Sequence, residues 1–211
     1  MNVPFSVISS VSILLPVVSG FYSTTYPQRL KYRALVFFFL YALITELVAN
    51  ILASQQTNNL WIYNIYSLAE CIFWIVIIDG WLNHKYKIFL TILGIVYSLI
   101  WIYLFVIANS IFAYNNIAMI TACIILIPLS CFFLLSLSRN TNAELMDIPE
   151  FWFAAALLFY FSSTAVITAS ASYIFNGVEM MRISWKLHAI FNIITNFIFA
   201  KAFLCSLRKT T

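Results

Sequence analysis

Two acidic residues lie within long apolar stretches of the chain, where a membrane would surround them. Glu46 lies about 18 Å along a helix from Ala34, and Glu70 lies about 15 Å along a helix from Leu60, at about 1.5 Å per residue. A charged side chain at the centre of a membrane helix costs about 2.5–3.5 kcal/mol on insertion scales. Each acid should therefore face the interior of the protein, carry a proton or have a partner. The chemistry that fits is binding of a polar or cationic ligand, or relay of a proton.

Amides and hydroxyls accompany the two acids at helical spacing. Asn50 follows Glu46 by four residues, and Asn64 and Ser67 precede Glu70 at steps of three. Residues three and four apart lie on one face of a helix. A third polar stripe, in the last apolar stretch, consists of His188, Asn192, Thr195 and Asn196. The predicted ligand-binding or proton-coupling residues are Glu46, Asn50, Asn64, Ser67, Glu70, His188, Asn192 and Asn196.

Two interpretations of these polar residues stay open from sequence alone. In the first, they line a cavity that binds a small polar or cationic ligand and faces the outside. In the second, they form hydrogen bonds between helices, worth about 0.6 kcal/mol each on average. No Lys or Arg lies deep in the apolar stretches to neutralise the acids, and His188 is the only candidate near their level.

The composition places the chain in a membrane. Hydrophobic residues make up 64% of the 211 residues and charged residues 9%, against about 45–50% and about 25% in soluble domains. This excludes a soluble domain, a secreted disulfide scaffold, a disordered chain and a nucleic-acid binder. About 20 apolar residues cross the hydrocarbon core as a helix. We therefore predict one all-α domain of seven transmembrane helices over residues 1–211, with the lipid bilayer as partner. The spans are Val3–Gly20, Ala34–Ala53, Leu60–Gly80, Ile88–Ala108, Ile117–Leu135, Phe151–Phe175 and Ile183–Leu204.

The loop charges predict the orientation. The connections at residues 55–59 and 109–116 carry no charge, whereas the other loops and the tail do. One face would hold eight Lys or Arg residues and the opposite face only Arg182 and Lys186. The positive-inside rule then puts the N-terminus outside and the C-terminus in the cytoplasm, and we expect the plasma (inner) membrane. The eight residues are Arg29, Lys31, Arg33, Lys85, Lys87, Arg139, Arg208 and Lys209.

Short echoes along the chain suggest an internal repeat. The segment Ile13–Val17 resembles Ile125–Leu129, and Ala42–Thr45 resembles Ala165–Thr168. Spans three and seven each have a tryptophan near their first residue, Trp61 and Trp185. A parallel 3+1+3 repeat would pair residues 1–81 with 113–206, and helix 88–108 would link them. Chance similarity between apolar stretches is the alternative, and it stays open. The strongest support is a proline in span one and another in span five, where each permits a kink.

This layout resembles the SWEET/PQ-loop group of seven-helix transporters. The resemblance implies transport of a sugar or another small solute, with Pro16 and Pro128 as hinges. It also implies that Asn64 and Asn192 line the site. The resemblance is in layout, because neither membrane proline begins a Pro-Gln motif: Val17 and Leu129 follow them.

Three classes of function follow from these features. The first is a transporter of a small polar or cationic solute, with coupling to protons as one variant of that class. The second is a receptor that passes a shape change to a protein partner on the cytoplasmic face. The third is a non-catalytic subunit of a larger complex. A repeat favours the first, a sealed inner half the second, and an apolar groove filled by another subunit the third.

Enzymatic chemistry is not favoured, and the sequence predicts no cofactor. The four cysteines fall within apolar runs, and their spacing does not resemble a metal site. A retinal protein needs a lysine well inside the last helix, but Lys186 and Lys201 lie near the two ends of span seven.

Overall fold

The computed structural model describes residues 4–24, 32–108, 111–112, 116–141, 143–174 and 178–208. These residues contain no β-strand. A π-helical turn, Tyr103–Ala108, continues α5, and a 3-10 turn, Leu145–Asp147, precedes α7. The α-helices are α1 (Pro4–Ser12), α2 (Leu14–Thr24), α3 (Arg33–Ser54), α4 (Leu60–Trp81), α5 (Lys87–Ile102), α6 (Asn116–Asn140), α7 (Pro149–Ile174) and α8 (Val178–Arg208).

Seven helical segments in the described part of the chain are long and apolar enough to cross a membrane. The helix pair α1–α2 forms the first span, and α3 to α8 form spans two to seven. A helix satisfies its backbone hydrogen bonds internally, which is why such apolar stretches become helices in lipid. The seven-helix, all-α prediction is confirmed at this level. The orientation and the repeat stay predictions. Val3, Arg29, Lys31, Phe175 and Lys209, which bounded or oriented the predicted spans, lie outside the described residues.

The first span is interrupted, and this is the main departure from the predicted helices. A turn at Ile13 separates α1 from α2, three residues before Pro16. Proline has no N–H to donate to the carbonyl four residues earlier, here that of Ser12, and its ring crowds that carbonyl. Pro128 meets the same constraint, yet α6 continues through it from Asn116 to Asn140. The two predicted hinge prolines therefore lie in different local structures.

The two ends of the bundle differ in charge. We call the end where α3 begins and α4 ends the charged end, because Arg33, His84, Lys85 and Lys87 lie there. The other end, where α3 meets α4 through residues 55–59, is the uncharged end. The predicted orientation would place the charged end in the cytoplasm.

The spans pack as a ring around an apolar interior. The first span contacts α3 and α8, α3 contacts α4, α4 contacts α6, α6 contacts α7, and α7 contacts α8. Helix α5 packs against α4 and α6. The order α1–α2, α3, α4, α6, α7, α8 therefore closes on itself, and α5 lies beside the α4–α6 contact.

Aromatic side chains fill the half of the ring nearer the charged end. The rings of Trp74 on α4 and Phe199 on α8 stack with centroids 5.7 Å apart, and Phe39 on α3 meets Phe199 at 4.8 Å. Phe153 on α7 meets Phe203 on α8 edge to face at 4.9 Å. All five side chains are buried. We call this set of residues, Phe39, Trp74, Phe153, Phe199 and Phe203, the aromatic plug.

Candidate functional site

A cluster of serines on α1 connects two helices that are far apart in the sequence. Ser10 Oγ donates to Glu46 Oε2 of α3 at 3.1 Å and accepts from Asn50 Nδ2 at 3.1 Å. On the other side of α1, Ser9 Oγ accepts from Asn192 Nδ2 of α8 at 2.9 Å. The serines therefore join polar residues of α3 and α8 that sequence analysis had assigned to one site.

The end of α1 belongs to the same cluster. Ser12 Oγ accepts from Asn196 Nδ2 at 2.8 Å and donates to the carbonyl of Ser9 at 2.6 Å. Ser12 is the last residue of α1, directly before the turn at Ile13. The interruption of the first span therefore lies beside the polar residues. We call the set Ser9, Ser10, Ser12, Glu46, Asn50, Asn192 and Asn196 the serine cluster.

Glu46 is half-buried and has hydroxyl partners from two sides. Besides Ser10, the hydroxyl of Tyr63 on α4 approaches Glu46 Oε2 at 3.5 Å. Within the described residues no Lys or Arg pairs with this carboxyl group. An acid surrounded by hydroxyl and amide groups within a membrane span can accept a proton or a small cation, because either would remove the cost of an uncompensated charge.

Glu70 is a second acid, placed at the middle of α4. It is 6% exposed, and Tyr66, one turn earlier on the same helix, donates to its Oε1 at 3.1 Å. Glu70 is thus buried within the bundle, whereas Glu46 faces α1.

Asn64 and Ser67 serve a different contact. Asn64 Nδ2 donates to the carbonyl of Ile111 at 2.6 Å, and the carbonyl of Asn64 accepts from Trp101 Nε1 at 3.0 Å. Tyr97 of α5 donates to the carbonyl of Ser67 at 3.3 Å. These bonds fasten α4 to α5 and to the segment that follows it. Asn192, which the resemblance placed with Asn64 along the lining of one site, binds Ser9 on α1.

His188 lies among aromatic rings. Its ring centroid is 6.0 Å from that of Tyr160 and 6.2 Å from that of Trp185. It stands one turn before Asn192 on α8 and is half-buried.

The predicted site residues therefore do not form one group. Glu46, Asn50, Asn192 and Asn196 come together around α1. Glu70 bonds to Tyr66, His188 lies beside Tyr160 and Trp185, and Asn64 and Ser67 face α5. Sequence reasoning missed Ser9, Ser10 and Ser12. Their spacing in the first span was a usable signal, because serine is enriched where membrane helices pack closely.

Two cavities described in the structure lie away from these groups. One cavity of about 390 Å³ is lined by residues of both α4 and α5. A second, of about 310 Å³, lies between α2 and α3 at the charged end. In the described part of the chain, no group of three His, Cys, Asp or Glu side chains is arranged to hold a metal ion. Comparisons with models of protein families, with curated proteins and with solved structures find no match for this chain.

Proposed function

We propose that this protein binds a small polar or cationic solute at the serine cluster and moves it across the membrane. The observation that carries the proposal is the interrupted first span beside an acid. Transporters commonly build their sites at discontinuous membrane helices, whose ends present unpaired backbone carbonyls and a negative dipole. The C-terminal end of α1 at Ser12 supplies the negative end of a helix dipole, and Glu46 adds a carboxylate within the same cluster.

The second acid supports coupling to a proton. Glu70 is buried inside the ring with a tyrosine hydroxyl as its bonding partner. An acid buried within a membrane bundle can carry and exchange a proton during a transport cycle. Proton release and solute binding would then be linked in free energy. The layout resemblance to SWEET/PQ-loop transporters points the same way, with Pro16 and Pro128 as the hinges that the transport cycle would use.

The test measures binding and flux separately on the full-length protein. Guanidinium is the cationic probe, because its N–H donors match a carboxylate, and glucose is the neutral polar probe. Binding is detected as a rise in the thermal unfolding midpoint. Flux is detected in proteoliposomes that contain a pH-sensitive dye and receive labelled probe. We expect saturable flux of one probe, accompanied by proton movement.

Acid-to-amide variants assign the roles. Glu46→Gln should reduce binding of the probe at least about tenfold, the loss of roughly one charge-assisted hydrogen bond. Glu70→Gln should abolish proton movement while the protein still inserts. Glu144→Gln, in an exposed loop at the charged end, is the matched control and should behave as wild type. Full binding and flux in both membrane variants would mean that the acids only hold helices together.

The aromatic plug favours a second candidate function. It lies in the half of the ring nearer the charged end, between a solute bound at the serine cluster and that end. A receptor needs no open path across the membrane and would pass a shape change to a partner at the charged end. Binding of a probe without any flux would favour the receptor, whereas flux requires that the plug opens.

A further inference from the structure

The groove between α4 and α5 is lined mainly by aliphatic side chains and opens toward the surrounding lipid. Its volume is about 390 Å³, and its walls include Ile72, Val76, Gly94, Ile95 and Leu99. Val76, Ile95 and Leu99 are more than half exposed, which marks the mouth of the groove on the outer surface of the bundle. We call this feature the α4–α5 groove.

The dimensions of the groove fit a single acyl chain. Along α5 its lining runs from Leu90 to Leu99, which is about 14 Å of helix. Half of the hydrocarbon core of a bilayer is about 15 Å thick. The groove therefore extends from near the charged end to about the middle of the membrane, the depth that one lipid tail of one leaflet occupies.

One end of the groove carries a carboxyl group with an unused oxygen. Asp79 lines the groove two residues before the end of α4. Its Oδ2 lies 2.7 Å from Nδ1 of His84, but its Oδ1 is buried and has no hydrogen-bond partner among the described residues. A buried carboxylate oxygen without a donor is costly, so a donor is expected there. Asp79 lines the groove, so a molecule lying in the groove contacts this residue.

Positive charge flanks the same end. Lys87, at the start of α5, lies one turn before Leu90 and Thr91, which line the groove, and is exposed. Lys85 is also exposed in the preceding turn. A molecule that complements this end has an N–H donor for Asp79 and an anionic group for the lysines, above an apolar tail. Phospholipids with a primary-amine headgroup have all three, whereas the quaternary ammonium of choline has no N–H to donate.

We propose that the α4–α5 groove is a binding site for a phospholipid with a primary-amine headgroup. One acyl chain fills the groove, the ammonium donates to Asp79, and the phosphate lies beside Lys87. This site is separate from the serine cluster and does not depend on the proposed transport.

Lipid competition on the full-length protein tests the proposal. The protein is exchanged into nanodiscs that contain equal amounts of phosphatidylethanolamine and phosphatidylcholine with identical acyl chains. Native mass spectrometry then measures the lipid that stays bound. We expect phosphatidylethanolamine to be retained at least about tenfold over phosphatidylcholine, and to raise the thermal unfolding midpoint where phosphatidylcholine does not. Equal retention of the two lipids would overturn the proposal. Preferential retention of added phosphatidylglycerol would also overturn it, because it would mean that the lysines alone select an anionic lipid.

Paired variants separate the headgroup from the tail. Asp79→Asn should bring the ratio of the two lipids close to one, whereas Asp147→Asn, at an exposed position in the 3-10 turn, should leave it unchanged. Gly94→Leu should reduce retention of both lipids, because its side chain would enter the groove beside Ile72. Gly80→Leu adds the same bulk where no atom lies within 4 Å and is the matched control. A lipid preference that survives Asp79→Asn would contradict the headgroup assignment. The rise in the thermal unfolding midpoint of the wild-type protein with phosphatidylethanolamine tests the same assignment without any variant.

Discussion

Glu46 shows how a single polar residue is held inside an apolar bundle. Its partners are hydroxyl groups from α1 and α4, so three spans meet at one carboxyl group. Neutral partners stabilise the carboxyl group through hydrogen bonds. A lysine would also cancel its negative charge, which these partners do not do. The residue is therefore both a packing contact and a potential cation site, and the two roles need separate measurements.

Replacing Ser10 tests the packing role. Ser10→Ala removes a donor to Glu46 and an acceptor for Asn50. Two such bonds at the membrane average of about 0.6 kcal/mol predict a loss of about 1 kcal/mol in the free energy of unfolding. Denaturant titration in micelles measures it. Ser19→Ala is the control and should change little, because within the described residues Ser19 bonds only to carbonyls of its own helix. Equal effects of the two variants would contradict a special role for Ser10.

Two glycines predict stability changes of opposite sign. A Cβ at Gly20 would lie 2.7 Å from Cγ2 of Val36 and 3.1 Å from Cζ of Phe203, whereas a Cβ at Gly80 meets nothing within 4 Å. Valine is stiff at χ1, so it cannot yield easily. We expect Gly20→Ala to destabilise the protein, because overpacking costs about 1–3 kcal/mol and outweighs the gain in helix propensity. Gly80→Ala should gain up to about 1 kcal/mol. Thermal unfolding of both variants gives the two signs, and a stabilised Gly20→Ala would refute the close packing of α2.

At the scale of elements, the first span and α6 respond differently to proline. The span breaks at Ile13 before Pro16, whereas α6 runs through Pro128. At the break, the hydroxyl of Ser12 accepts from Asn196 and donates to the backbone carbonyl of Ser9. Membrane helices tolerate an interrupted backbone where side chains satisfy the freed groups.

Spin labels measure whether proline causes the break. Labels at Val7 and Val18, both exposed, flank the turn in the first span. Pro16→Ala restores an N–H for the Ser12 carbonyl, so the two helices should merge and the distance distribution should shift and narrow. The control places labels at Ile117 and Leu135 in α6, where Pro128→Ala should change the distance little. An unchanged first span in Pro16→Ala would mean that the serine contacts impose the turn.

At the scale of the whole molecule, charge and polarity are distributed along the membrane normal. The serine cluster lies toward the uncharged end, the aromatic plug toward the charged end, and the basic loops beyond the plug. The predicted orientation makes the polar half face outside.

Loop charges test that orientation. In a background without the four native cysteines, Gln56→Cys should react with an impermeant maleimide on intact cells, and Asn140→Cys only after permeabilisation. Both positions are exposed, at opposite ends of the bundle. Replacing Arg29, Lys31 and Arg33 together by Gln should mix the two patterns, because these charges bias orientation. Reaction of Asn140→Cys on intact cells without that replacement would reverse the predicted orientation.

Much of the fold could be predicted because it depends on short-range properties. Helices α3 to α8 all match stretches that the sequence marked as long enough and apolar enough to cross, and most ends shift by a few residues. The site was less predictable. Helical spacing placed Glu46 with Asn50, and Asn192 with Asn196, on shared faces, and each pair has a member bonded to a serine of α1. It also placed Asn64 on one face with Ser67 and Glu70, but it did not indicate the partner of Asn64, which is the carbonyl of Ile111.

The sequence by itself determined the number, length and type of the spans, because bilayer thickness and the need to satisfy backbone hydrogen bonds act on each segment separately. Only the tertiary structure decided which polar faces meet. Ser12 and Asn196 are 184 residues apart, and Ser10 and Glu46 are 36 apart. Such contacts follow from the packing of a whole ring of helices, in which each face has several possible partners of similar polarity and the shape of the apolar side chains selects one.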